Sequence, residues 1–479
     1  MGSIPPASGP PPSQWRYRRL VSVKLAVRGG TLVTPDGKFA GDLLVDGGRI
    51  AGVVEPGTTV DADQTVDASG QLVLPGVVDP HVHVSGTSTI DDYEAGSRAA
   101  ALGGVTSFIT FAWQAWDGPD SPFASDGTLQ EAVDRQYAAG ADSLVDFSLH
   151  ATITRDDPAV LKEIASLVDS GIVSFKIFTT YDFGLRNGFI ERIFEEIASA
   201  DGVAVLHTED DDVCARREAV MREEGRGDPA VYPDSRPDHA EAMAADDAIR
   251  MAQRAGNKYY GIHTSCRAAA EVIEAAQTDK SQFRGETCVH YTTLDRSAYE
   301  TQGLLPMIAP PLRTPDDIDA MFEHLRRGTL DVVSTDHVAF TKASKQTENW
   351  WDSEYGANGV QRSLPMFHDE AVNERGMSYP ELVRLMCSKP AEIFGLTDKG
   401  TLEPGTDADF VLFDPEKPHV IDSADNASDA DYSIYEGREV VGTVEATYLR
   451  GECIAADGEV VAESGYGEPI ERVPPDWSE

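Results

Sequence analysis

Apolar and polar positions alternate in short runs at both ends of the chain, and in longer strand-then-helix units between them. Near the N-terminus the alternation, punctuated by Asp-Gly and Gly-Gly turns, predicts strands over 24–27, 31–34, 41–45 and 49–54. The same texture returns over 409–413, 441–450, 452–456 and 459–461. Neither set holds enough strands for a sandwich. Together they predict one small β-sandwich formed by both chain ends, 21–75 plus 395–464.

Between them, strand patterns over 72–78, 106–111, 145–153, 173–178, 203–208, 258–264, 286–291 and 331–335 are separated by helical stretches such as 91–102, 158–169, 189–199, 238–254 and 316–327. Eight strands, each followed by a crossover, give an α/β chain with the arithmetic of a (β/α)8 TIM barrel over 76–394. A doubly wound open sheet fits the same alternation. The Pro/Ser/Gly-rich segment 1–20 is expected to be a disordered tail, and 465–479 is a polar, acidic C-terminal tail of open role.

Charge narrows the partners. The 479 residues carry 81 acidic and 40 basic side chains, a formal net charge of −41. Such a surface repels phosphate backbones and anionic lipid, so the expectation is no nucleic-acid partner and no membrane partner. Only 11 of the basic residues are Lys, and the acidity runs along the whole chain. Concentrated salt, which shortens the Debye length to about 3 Å at 1 M, makes this surface tolerable and points to a salt-adapted, halophilic protein. The hydrophobic content of 41% is ample for a core. Cys214, Cys266, Cys288, Cys387 and Cys453 are odd in number and contain no CxxC pair, which suits reduced thiols in the cytoplasm.

Candidate chemistry gathers at strand ends. In Val78-Asp79-Pro80-His81-Val82-His83 the two histidines are two apart on a strand and share a face. Two converging imidazoles suit Zn, Mn, Ni or Fe. Ser174-Phe175-Lys176-Ile177-Phe178 buries a lysine that must snorkel, pair with an acid, or lose its ammonium character; carbamylation by CO2 is one route. Leu206-His207-Thr208-Glu209, Gly261-Ile262-His263-Thr264 and Ser334-Thr335-Asp336-His337 close three more strands. Five strands thus end in ligand-type residues on the side where barrel enzymes keep their chemistry.

This ordered set resembles the amidohydrolase superfamily, in its cyclic-amide branch of dihydropyrimidinases and hydantoinases. The likeness extends through Leu402-Glu403-Pro404-Gly405-Thr406-Asp407-Ala408-Asp409 to the segment from Asp431 to Glu439. It implies two divalent metal ions, usually zinc, one held by His81, His83 and Asp336 and the other by His207 and His263. Carbamylated Lys176 and a hydroxide would bridge them, and Asp336 would shuttle the hydroxide's proton to the leaving nitrogen. Tyr181 matches the tyrosine that binds the developing oxyanion. Ring amides would be held by backbone groups at Ala309, where Ser is usual, and around Asn358 in Tyr355-Gly356-Ala357-Asn358-Gly359-Val360.

Many relatives carry Asn at the position of Tyr355, a departure that bears on the ring pocket. Gly86-Thr87-Ser88-Thr89 with Phe111, Trp113 and Trp116 are candidates for an exocyclic substituent, although aromatics after a strand usually pack. The implied substrate is a small cyclic amide, a hydantoin or a 5,6-dihydropyrimidine, opened to an N-carbamoyl amino acid. Allantoinase is the nearest alternative, on the segment from Met366 to Ser378. Dihydroorotase is weaker, because Val84-Ser85-Gly86 lacks its arginine, and a metal-free scaffold weaker still, because all six ligand-type residues are present. The family also implies a homotetramer. His150, His239, His290, His324, His368 and His419 match no ligand motif and are expected in packing or surface roles; His337 and Glu209 are candidates to support the ligands, and Cys288 is expected to be a buried structural thiol.

Overall fold

The computed structural model describes residues 22–86, 89–115, 127–277 and 282–478. The expected tail 1–20, Thr87, Ser88 and Trp116 lie outside them.

Eight parallel strands form one sheet in strict chain order: Val77–Asp79, Val105–Trp113, Asp146–Thr152, Ser174–Phe178, Val203–His207, Lys258–Gly261, Phe283–Cys288 and Val332–Ser334. Parallel strands covered on both faces read as continuous apolar runs, and all nine residues of Val105–Trp113 are buried. The ring closes between the first and last strands through a parallel bridge of Val82 with His337 and a 2.8 Å bond from the His83 amide to the His337 carbonyl. An open doubly wound sheet would leave those two strands apart. The chain is therefore a TIM barrel.

A second architecture joins the chain ends. One sheet orders Arg49–Val54, Asp42–Asp46, Val23–Arg28 and Ala62–Asp67. The other runs from Glu459–Val460 through Glu452–Ala456, Glu439–Leu449, Phe410–Val420, Leu72–Pro75 and Thr31–Thr34 to Gly37–Ala40. Leu25, Leu32, Phe39, Leu43, Phe410 and Tyr448 share the core of this β-sandwich.

The expected strand 286–291 lies instead at Phe283–Cys288, followed by the short helix Val289–Thr293, and two other differences from the sequence expectation have plain causes. The expected strand 72–78 splits at Gly76, so that Leu72–Pro75 serves the sandwich and Val77–Asp79 the barrel. A Cβ at Gly76 would lie 2.0 Å from Thr106 Oγ1, so the crossing between sheets needs glycine. Ala62–Asp67 carries no apolar alternation because it is a largely exposed edge strand, held by parallel pairing to Val23–Arg28.

The helices stop where local chemistry stops them. Pro315–Arg327 begins with a Thr314/Asp317 capping box and ends on left-handed Gly328. No helix among the described residues is long and apolar enough to cross a membrane.

The segment 465–478 runs along the barrel end opposite the strand C-termini. Gly467 donates to the Ser143 carbonyl, Ile470 donates to the Phe147 carbonyl, and Trp477 Nε1 donates to the Ile393 carbonyl at 3.1 Å. Trp477 joins Val78, Ile109, Val205, Tyr260, Val332 and Phe394 in one buried cluster.

Candidate metal centre and active site

The first strand delivers His81 and His83 to the barrel mouth, and the last delivers Asp336. Asp336 Oδ1 lies 2.9 Å from His81 Nε2 and 3.2 Å from His83 Nε2. One ligand atom from each of the three falls within 4.8 Å of the others, a donor set of two imidazoles and a carboxylate that suits a divalent transition metal. Burial opposes the charge on His81, but Asp336 and Glu286 outweigh it and raise its pKa to about 9. Burial holds His83 down at about 4, against the pull of Asp336. On Asp336 burial favours the neutral form, yet the two histidines win and keep its carboxyl well below the usual range.

His207 and His263 sit beside this trio. Their ring centroids are 4.5 Å apart, and His263 is 5.5 Å from His81. Glu209 Oε2 lies 2.9 Å from His207 Nε2 and accepts from Arg236 Nη1 at 2.6 Å. Lys176 points inward, fully buried, its Nζ 4.5 Å from the Phe178 ring centroid and 5.2 Å from that of Phe111. Burial lowers this amine to about 7. A substantial neutral fraction near pH 7 is what nucleophilic addition to CO2 requires.

Tyr181 stands at the mouth, 5.2 Å from His207 between ring centroids. It, His263 and Asp336 all adopt positive φ, at 73°, 38° and 45°. Non-glycine residues pay about 1–3 kcal/mol for that region, and three such residues in one site mark a geometry that the surrounding fold enforces.

The Arg236 guanidinium lies 5.1 Å from the Tyr181 ring and 5.2 Å from the Tyr355 ring. Tyr355 thus joins the pocket through a shared cation. Trp113 stacks on Phe178 at 5.3 Å and meets Phe183 edge-on at 5.5 Å, so it lines the mouth beside His83. Phe111 stacks on His83 at 4.4 Å and acts as packing.

Ala309 is buried. Asn358 Nδ2 donates to the Tyr432 carbonyl at 2.6 Å, which turns that side chain towards the C-terminal region. His337 faces away from the metal trio: its Nδ1 accepts from the Gly359 amide at 3.0 Å and its Nε2 bonds Asp91 Oδ2 at 2.9 Å. Cys288 is buried, with Sγ 3.3 Å from Ser334 Oγ.

Three further polar residues support the site. Glu286 bonds His81 Nδ1 at 2.6 Å and also accepts from Tyr260 Oη and the His263 amide. Asp79 accepts from the His81 amide at 3.1 Å and from Thr335 Oγ1 at 2.6 Å, tying the first and last strands together; burial raises it to about 6. Lys345 is fully buried and donates to the carbonyls of Met307, Glu354 and Gly356 at 2.7, 2.7 and 2.8 Å. Asp79 lies inside the ligand motif Val78 to His83, which was its available signal, whereas the mixed strand Phe283–Cys288 does not mark Glu286. No local pattern marks Lys345.

The sequence model of the amidohydrolase family matches residues 72–454. The chain belongs to that family. This amidohydrolase is 32% identical over 468 residues to a D-hydantoinase of Streptomyces coelicolor, covering 93% of this chain and 97% of that protein. It is 31% identical to an L-hydantoinase of Paenarthrobacter aurescens, over 93% and 97% of the two chains. Among solved structures, a dihydropyrimidinase from Brevibacillus agri superposes with a TM-score of 0.88 at 28% identity, covering 95% of this chain and 99% of that one.

Proposed function

We propose that this amidohydrolase opens the ring amide of a hydantoin or a 5,6-dihydropyrimidine to an N-carbamoyl amino acid. The observation that carries the reading is the convergence of His81, His83 and Asp336 ligand atoms at the C-terminal mouth of the barrel. End-to-end likeness to hydantoinases and a dihydropyrimidinase supports the substrate class. Among the described residues, no feature of the site favours the allantoinase, dihydroorotase or scaffold readings.

The donor set fits two divalent transition-metal ions, and the family likeness supports zinc. His81, His83 and Asp336 would hold one, His207 and His263 the other, with Lys176 as a carbamate between them. When bound, the ions lower the pKa of water and polarise the scissile carbonyl. Asp336 accepts the proton of the attacking water and delivers it to the leaving amide nitrogen. Tyr181, which burial keeps as a protonated phenol, donates to the developing oxyanion. Backbone groups at Ala309 and Asn358 orient the ring, and the Trp113, Phe178 and Phe183 wall receives an exocyclic substituent. Arg236 holds Glu209 against His207 and supports the faces of Tyr181 and Tyr355.

The acidic composition supports a halophilic, cytoplasmic protein, and the family likeness supports a homotetramer. We divide the chain into a 1–20 tail, a sandwich of 21–75 plus 395–464, a barrel of 76–394 and a 465–479 tail. Steady-state rates on dihydrouracil, hydantoin, allantoin and dihydroorotate, with metal analysis of the same sample, test the assignment. Turnover of allantoin alone would replace it.

A further inference from the structure

The C-terminal segment 465–478 carries one buried cation into the floor of the barrel. Arg472 is buried, yet it forms no ion pair among the described residues of a chain with 81 acids. Its Nη1 donates to Ser174 Oγ at 2.8 Å and its Nη2 donates to the Leu149 carbonyl. Burial drags the guanidinium down to about 9, so the position is costly and a charge is being spent there.

What lies above it has a single direction. Ser174 Oγ is 2.6 Å from His150 Nδ1, and His150 Nε2 is 2.9 Å from the Pro80 carbonyl. A carbonyl only accepts, so His150 carries its proton on Nε2, and its Nδ1 must accept from the Ser174 hydroxyl. Ser174 Oγ in turn accepts from Arg472. The chain of donors therefore runs Arg472, Ser174, His150, Pro80, each bond polarising the next.

Its end point is informative. The Pro80 carbonyl and the His81 amide belong to one planar peptide unit. The oxygen of that unit is held by His150, and its N–H is held by Asp79 Oδ1 at 3.1 Å. Proline fixes φ on the preceding side. The backbone that aims His81 is thereby clamped at both polar ends, one clamp anchored in the last strand through Thr335 and the other in the C-terminal strap through Arg472. Ser174 is also two residues before Lys176 and on the same face of its strand.

We infer that Arg472 is a positioning residue for the metal centre, acting through Ser174 and His150 on the peptide that carries His81. The inference rests on the metal-centre reading and deepens it. The strap is thus a working part of the site, although it enters from the opposite end of the barrel.

The test uses the full-length, metal-loaded protein and the variants Arg472→Gln and Ser174→Ala. The first reading is metal release to an excess of chelator, followed without substrate. Each variant is expected to lose metal about tenfold faster, as changes behind metal ligands do, and to lower kcat with KM nearly unchanged. If both variants keep the wild-type release rate and kcat, and only the melting temperature falls, the strap is merely structural and the inference is wrong. Ser174→Ala decides the matter where Arg472→Gln does not fold, because it breaks the relay at its middle and leaves the strap in place. A wild-type protein that binds metal but opens no cyclic amide, with faster release in the variants, would overturn the hydrolase reading and keep this one.

Discussion

Glu286 Oε1 lies 2.6 Å from His81 Nδ1, with both side chains excluded from solvent. The contact fixes the imidazole so that Nε2 faces Asp336, where it would meet a bound metal, and the carboxylate raises the basicity of His81. Glu286→Gln keeps the shape and removes the charge. Metal affinity is expected to fall about 10–100-fold, with activity following metal occupancy. Titration of the metal-stripped variant with zinc checks this; wild-type affinity would limit Glu286 to packing.

The amine of Lys176, lowered to about 7, sets a pH dependence for carbamylation. Only the neutral amine adds to CO2, so the reactive fraction rises as pH climbs through about 7 and shrinks below it. Metal-stripped protein given bicarbonate and zinc should regain activity faster at about pH 8 than at about pH 6. The intact mass should gain the carbamate over the same range, provided it is measured without acid. Equal recovery at both values would count against the carbamate.

Lys345 stitches the two loops that flank the pocket. Its ammonium binds the Met307 carbonyl, near Ala309, and the carbonyls on either side of Tyr355. Lys345→Met strands three buried acceptors, at about 1–3 kcal/mol each where they cannot rearrange. We expect a clear fall in melting temperature and a KM about tenfold higher, since looser loops bind the ring less well. An unchanged KM in a folded variant would detach this residue from substrate binding.

Tyr355→Asn removes one face of the stack on Arg236. The ratio of kcat/KM between dihydrouracil and substituted hydantoins should shift by about tenfold or more, as about 1–2 kcal/mol of a desolvated cation–π contact is lost beside the ring. A constant ratio would place Tyr355 outside the specificity pocket.

The net charge of −41 predicts that melting temperature and activity rise from dilute buffer towards about 1 M salt, where the Debye length is about 3 Å. Equal behaviour in dilute buffer would remove the halophilic reading and leave the hydrolase intact.

Much of the molecule is local information. The barrel strands are legible because short, mostly buried apolar runs recur between helical stretches, and the ligands are legible because HxH, SFK, LHTE, GIHTS and STDH fall within or at the ends of those strands. The edge strand Ala62–Asp67 was not legible, since its partner rather than its own pattern holds it. Glu286, Lys345, Arg236 and Arg472 were not singled out for a different reason. Each acts on a residue or carbonyl distant in sequence, as Arg472 does on Ser174 at a separation of 298.

Residue type and period thus specify which elements form and which chemistry they carry. Ring closure, the donor relay from the C-terminal strap to Pro80, and the positive φ of Tyr181, His263 and Asp336 exist only once distant segments meet. The cause is physical: a strand's burial pattern is written along its own backbone, whereas a buried charge or strained dihedral is tolerable only with partners that folding itself brings within reach.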